Sequence, residues 1–229
     1  MEKKPRLLVF VDEANVTRAA SKLYSKSFEW QKFRDFLVDY GDSPRELVEM
    51  AVYVGMPPDQ ARRESRSRYV HFLRSLGFLV YTKEGQLRKP SPNYPRPYRD
   101  QPVEYKANVD VIMAIDAMDL SRRIRPDVVT LVTGDSDFAH LAHIIRREGI
   151  RVEVASAPQT LSSELRTSAN ELIDLTKLFS TFPAYEPRKS VEIDQGATQA
   201  YVTAAASASA SDDDSDDPDG PDGPGDPDD

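Results

Sequence analysis

The chain contains no cysteine, which removes in one step a disulfide framework, thiolate metal ligation and a cysteine nucleophile. A reducing compartment fits that absence. No apolar stretch approaches the ~18 residues that a membrane-crossing helix needs, and the opening Met1-Glu2-Lys3-Lys4-Pro5 runs straight into a short apolar strand with no export signal visible. The expectation is a soluble, cytoplasmic protein without a membrane partner. Glycine is missing from the turn Asp12-Glu13-Ala14-Asn15 that follows the first apolar run; a dinucleotide-binding enzyme needs it there so that the backbone can approach a pyrophosphate. Histidine is scarce, and His71, His140 and His143 are not arranged, nor is any lysine, to activate a serine nucleophile.

Large apolar and basic residues are both missing from Ala204 onward, where alanine, serine, aspartate, glycine and proline take over. Such a segment cannot offset the entropy of ordering. Its ten aspartates exceed the whole formal charge of −8 and leave residues 1–203 at +2. The acidity therefore belongs to the tail, and the near-neutral, locally basic body permits a polyanionic partner without demanding one.

At 229 residues the chain can bury one full core. Apolar, valine-rich runs predict strands over 6–11, 46–54, 77–82, 127–133 and 150–155, and residues 171–175 offer a last short one. Helical patterns lie at 14–24, 28–40, 58–75, 106–121, 137–148 and 160–168, with a closing helix or turn over 176–182. Strands alternating with helices predict an α/β fold, a doubly wound, mostly parallel sheet of about five strands flanked by helices. The expected division is a domain over 1–182 and a disordered, aspartate-rich tail over 183–229. The segment 84–102 stands apart, with five prolines among Arg88, Lys89, Tyr94, Arg96, Tyr98 and Arg99; it is neither helix nor central strand.

Carboxylates punctuate these elements. Asp12 ends the first strand, Asp110 begins a later helix, and Asp135 and Asp137 lie in Gly134-Asp135-Ser136-Asp137-Phe138, where a strand hands over to a helix. Open α/β sheets bind ligands at that edge. Each aspartate alone has an ordinary reading: Asp137 as an N-cap, Asp12 as a turn residue, Asp110 as a helix-dipole partner. Together they repel unless a cation or protons neutralise them. Mg²⁺ or Mn²⁺ suits hard oxygen ligands, and phosphodiester hydrolysis suits such an ion. Asp116 lies about 120° around the helix from Asp110, on a core-side face that requires a partner: the metal through a water, Lys106 or a neighbouring donor. Asn15 can donate its amide to a carboxylate or a phosphate, or cap the first helix. Ser136 can donate to phosphate.

Asp12-x-x-Asn15, Val109-Asp110 and the Gly134 to Phe138 motif resemble the NYN domain, a branch of the PIN-like nucleases, over about residues 6 to 180. The resemblance implies a PIN-like (Rossmann-like) sheet, an acidic Mg²⁺ or Mn²⁺ pocket and ribonuclease activity by metal-activated water, with endonucleolytic cleavage expected. Carried over, Asp12, Asp110, Asp135 and Asp137 are the catalytic and metal-site carboxylates, Asp116 is an additional candidate, and Asn15 orders the pocket. Glu13 and His140 replace a glycine and a proline that many members have, and 84–102 looks like an insertion. No carboxylate is lost by these departures.

RNA, in single-stranded form, is the implied partner; a second copy of the chain or another protein is left open. Arg62, Arg63 and Arg66, with Arg68, form a basic cluster ahead of Tyr69. The proline-rich segment interleaves Arg96 and Arg99 with Tyr94 and Tyr98, a combination that grips a backbone and stacks bases. The ordinary reading of the first cluster is the solvated face of a helix. Two other functions compete with this reading: a PIN-like module that binds RNA or protein with negligible turnover, against which the retained aspartates argue, and a haloacid-dehalogenase-type phosphatase, which needs a second carboxylate where this chain has Ala14.

Overall fold

The computed structural model describes residues 3–87 and 105–186. In chain order the elements are β1 (Arg6–Asp12), α1 (Glu13–Arg18), a π-helical turn over Ala19–Leu23, α2 (Trp30–Val38), β2 (Glu46–Met56), α3 (Gln60–Ser75), β3 (Leu79–Glu84) and β4 (Gln86–Leu87). They continue with β5 (Tyr105–Lys106), α4 (Val109–Ile124), β6 (Val128–Val132), a 3₁₀ turn at Ser136–Phe138, α5 (Ala139–Arg147), β7 (Arg151–Ser156), α6 (Ser163–Ser168), β8 (Glu171–Asp174) and α7 (Thr176–Ser180). Among the described residues six strands form one parallel sheet in the order β3-β2-β1-β6-β7-β8, and β4 pairs with β5 antiparallel.

The apolar run Leu7-Leu8-Val9-Phe10-Val11 is fully buried because helices cover both faces of a central parallel strand. Side chains alternate along it. Leu7, Val9 and Val11 join one core layer with Trp30 and Phe33 of α2 and Leu73 of α3, while Leu8 and Phe10 join the other with Met113 of α4 and Ile145 of α5. Each fully buried side chain of this size contributes about 1.5–3 kcal/mol relative to exposure. The sheet therefore holds its strand ends rigidly.

The α/β class and the parallel sheet agree with the sequence expectation, and the sheet gains a sixth strand. The short strand expected over 171–175 is present as Glu171–Asp174 and pairs in register with β7, Ala155 opposite Ile173. The first helix is broken: α1 gives way to the π-helical turn at Ala19. The helix expected from 106 begins at Val109, because Tyr105 and Lys106 are taken by pairing with Leu87 and Gln86, and it runs on to Ile124. The helix expected from 160 begins at Ser163, since the Ser162 hydroxyl accepts from Leu165 N and so fixes the start. Order also extends past 182: Tyr185 N donates to Ser25 O at 2.8 Å and Ser27 N to Pro183 O at 2.9 Å. The rest of the expected tail, residues 187–229, lies outside the described residues, as do residues 88–104.

Strand order reverses between β1 and β6, with β2 and β3 wound to one side and β7 and β8 to the other. In open parallel sheets the loops diverge at such a switch point and leave a crevice at the carboxyl ends of the strands. Asp12 ends β1 and Asp135 follows β6.

Candidate active site

A cavity of about 660 Å³ opens at this crevice, with Asp12, Asp110 and Asp135 in its lining. Asp12 is the N-cap of α1, and its Oδ1 accepts from Asn15 N at 3.1 Å. The carboxylate is only 8% exposed. Burial chiefly, together with the charges of Asp110 and Glu13, pushes its pKa up to about 6 against the Asn15 hydrogen bond. Asp110, in the first turn of α4, also has a raised pKa, through burial first and then Asp135, with Lys106 opposing and Asp137 adding.

Asp135 is set by its own turn. Its Oδ1 accepts from Asp137 N at 3.1 Å, its N–H donates to Thr133 Oγ1 at 3.2 Å, and Ser136 Oγ lies 3.5 Å from Oδ1. The turn requires glycine at 134, since a Cβ there would collide with the Thr160 carbonyl. Ser162 N donates to Gly134 O at 2.9 Å and closes the α6 loop against the motif.

The predicted residues divide into those the fold gathers and those it separates. Asp12, Asp110, Asp135, Asn15, Arg62 and Arg66 line the one cavity. Asp137 is exposed and outside that lining, although its charge reaches Asp110. The cap expected of Asp137 belongs to Asp135, because the helix opens with a 3₁₀ turn two residues earlier. Ser136 is also outside the lining. Arg63 turns away to the Pro57 carbonyl at 3.3 Å and Glu84 at 3.1 Å. Asp116 finds the neighbouring donor: Tyr53 OH donates to its Oδ2 at 3.0 Å, and it does not line the cavity. Tyr94, Arg96, Tyr98 and Arg99, with Arg88 and Lys89, lie outside the described residues.

The sequence reading missed Glu13. It is 2% exposed, lines the cavity and forms an ion pair with Arg66. The signal was available, an acid directly after Asp12 where relatives of the motif carry glycine. The basic cluster splits by helical phase: Arg62 and Arg66, four apart and so on one face of α3, reach the cavity, while Arg68 is exposed. Arg62 lies over the Tyr105 ring, 5.6 Å from its centroid.

Three aspartates beside the Arg66-paired Glu13 in one partly desolvated cavity call for a cation, and their hard oxygens suit Mg²⁺ or Mn²⁺. Among the described residues no three His, Cys, Asp or Glu side chains approach closely enough to form a direct ligand set. Mg²⁺ retains several waters and takes one or two carboxylates, so the arrangement fits an ion held in part through water. A second cavity, about 760 Å³, is bounded by His140, His143, Arg146, Arg147 and Arg151 near the start of β7, away from the carboxylates. Its Arg146 is engaged by Ser168 O at 2.8 Å and its Arg151 pairs with Glu171. No described helix is long and apolar enough to cross a membrane.

The parallel sheet with an acidic crevice at its switch point is the arrangement expected of a PIN-like nuclease fold. The family described as NYN domain matches residues 6–176, and the chain belongs to that family. It is 26% identical over 175 residues to the Low amplitude and bright protein LabA of Synechococcus elongatus, a match covering 76% of this chain and 86% of that protein. The crystal structure of a protein of unknown function from Vibrio parahaemolyticus has a similar fold, with a TM-score of 0.56 and 25% identity, covering 76% of this chain and 95% of that one.

Proposed function

We propose that the protein is a metal-dependent ribonuclease that hydrolyses phosphodiester bonds within single-stranded RNA in the cytoplasm. The observation that carries this reading is the meeting of Asp12, Asp110 and Asp135, from three separate elements, in one cavity where burial and mutual repulsion hold two of them above the ordinary carboxylate range. Asp137 adds charge from the rim. Bound Mg²⁺ or Mn²⁺ would supply water activation and charge neutralisation at the phosphate. The chain's own residues would then hold the ion, keep Asp12 largely out of bulk water and position RNA through Asn15, Arg62 and Arg66. Arg96, Arg99, Tyr94 and Tyr98 are proposed to extend that grip.

A module that binds RNA without turnover is the second reading, and the spacing of the acids favours it, since they do not form a direct ligand set. The deciding experiment incubates labelled single-stranded RNA with the full chain in Mg²⁺, Mn²⁺ or EDTA. Internal cleavage products in either metal, their absence in EDTA and at least ~100-fold slower cleavage by Asp135→Asn are expected, about 3 kcal/mol of barrier. Binding without cleavage supports the second reading; neither binding nor cleavage overturns both.

A further inference from the structure

Arg66 occupies a place that the hydrolytic chemistry of the aspartates does not explain. It belongs to the middle of α3, yet its Nε donates to the Gly55 carbonyl of β2 at 3.2 Å and its Nη2 donates to Glu13 of α1. The guanidinium also lies over the Tyr69 ring, 5.0 Å from the centroid, and Trp30 Nε1 fixes the Tyr69 hydroxyl at 3.0 Å. Contacts from several elements thus hold one planar cation in a cavity shared with three aspartates. Gly55 and Glu13 engage only part of its donor set, and its side chain remains 26% exposed.

Glu13 is the informative partner. It is a second buried acid directly after Asp12, and its ion pair among the described residues is with Arg66. As the holder of Arg66 it has a reason: it takes Nη2 while the Gly55 carbonyl takes Nε, so that one edge of the guanidinium is fixed. A planar fork held along one edge presents its remaining N–H groups in the geometry that matches phosphate oxygens, which a lysine ammonium cannot reproduce.

We infer that Arg66 is the cation that receives an RNA phosphate in this cavity and that Glu13 is a positioning residue that keeps it available, an inference that rests on the ribonuclease reading for its substrate. The pair sets where the backbone enters relative to the aspartates.

The test uses the full chain carrying Asp135→Asn, so that RNA binding is read without turnover. Single-stranded RNA affinity is measured in Mg²⁺ over a salt series for Glu13→Gln, Arg66→Lys and the double variant Glu13→Gln with Arg66→Gln. The double variant removes both charges together, so neither is left buried alone. Each single change should weaken binding ~10-fold, and the double variant, which removes the same contact, should weaken it to a similar extent. The double variant should flatten the plot of log affinity against log salt by ~0.7, one single-strand phosphate contact. In parallel, dimethyl phosphate at matched ionic strength should raise the Tm of the parent and not of the double variant. Unchanged RNA affinity and slope in the double variant, whatever its Tm, overturns the inference and leaves the ribonuclease reading standing. A parent that ignores RNA but is stabilised by dimethyl phosphate through Arg66 keeps the inference and overturns that reading. A parent that responds to neither overturns both.

Discussion

Glu153 and Asp12 are both buried carboxylates on central strands, and the fold treats them in opposite ways. Glu153, near the start of β7 and fully buried, receives Arg45 in a fork at 2.7 and 2.9 Å and the Thr130 hydroxyl at 3.2 Å. Asp12, at the carboxyl end of β1, accepts the Asn15 N–H and forms no ion pair among the described residues. The foremost charges on it, from Asp110 and Glu13, are like charges. One acid is neutralised internally and fastens strands together. The other is left under electrostatic load at the switch point, and such local cost concentrates where a protein meets a ligand.

The largest expected effect comes from breaking the satisfied side. Arg45→Met leaves Glu153 buried without its fork, and removing one partner of a buried pair costs about 3–5 kcal/mol. Urea unfolding at neutral pH measures it, and adding Glu153→Gln should return much of the loss. A loss below ~1 kcal/mol would mean that Arg151, 3.5 Å from Glu153, takes over the charge, and the contrast between the two acids would weaken.

Relieving the strained side should act with the opposite sign. Asp12 ordinarily titrates at 3.8 and is raised to about 6 in the fold. At pH below 4 both folded and unfolded chains hold the proton, so burial carries no penalty. As pH rises from 4 to 6 the unfolded chain releases its proton while the folded one retains it, and stability falls by up to about 3 kcal/mol before levelling off. Asp12→Asn should therefore match the parent near pH 4 and exceed it by up to ~3 kcal/mol at pH 7 to 8, while losing RNA cleavage. Mg²⁺ should stabilise the parent more than the variant. Equal stability across the whole pH range would show that Asp12 bears no such load.

What the sequence made legible follows from the range of the interactions. Asp12, Asp110 and Asp135 were readable because each marks the end or start of an element whose hydrophobic period is local, and the doubly wound order then brings those ends together. The sixth strand was at the limit of that signal, four residues with Leu172 and Ile173 as its apolar content. The ordinary reading of Asp137 as an N-cap passes to Asp135, because two aspartates flank Ser136 and choosing between them depends on a turn geometry that Gly134 and the Thr160 loop impose from elsewhere. The pairings Glu13 with Arg66 and Tyr53 with Asp116 span 53 and 63 residues. No periodicity announces a contact of that length, so the sequence showed the charges and left their partners open.

The smallest expected effect tests the boundary of the strained region. Tyr53 is 1% exposed, its ring stacks on Tyr81 with centroids 5.3 Å apart, and its hydroxyl donates to Asp116. Burial first, and then the Asp116 charge, raises the Tyr53 pKa, so the phenol remains a donor at any working pH. Tyr53→Phe keeps the ring in its stack and removes only that bond. Because Asp116 is half-buried and water can replace the donor, the loss should be about 1.5 kcal/mol, at the low end for a bond to a charged group. If Asp116 is held by Tyr53 and serves no metal, RNA cleavage and its Mg²⁺ dependence should stay within about twofold of the parent, a difference of ~0.4 kcal/mol. A larger change in the Mg²⁺ concentration for half-maximal cleavage, with the fold intact by circular dichroism, would show that freeing Asp116 alters the acidic crevice and would extend the strained region nearly two helical turns along α4.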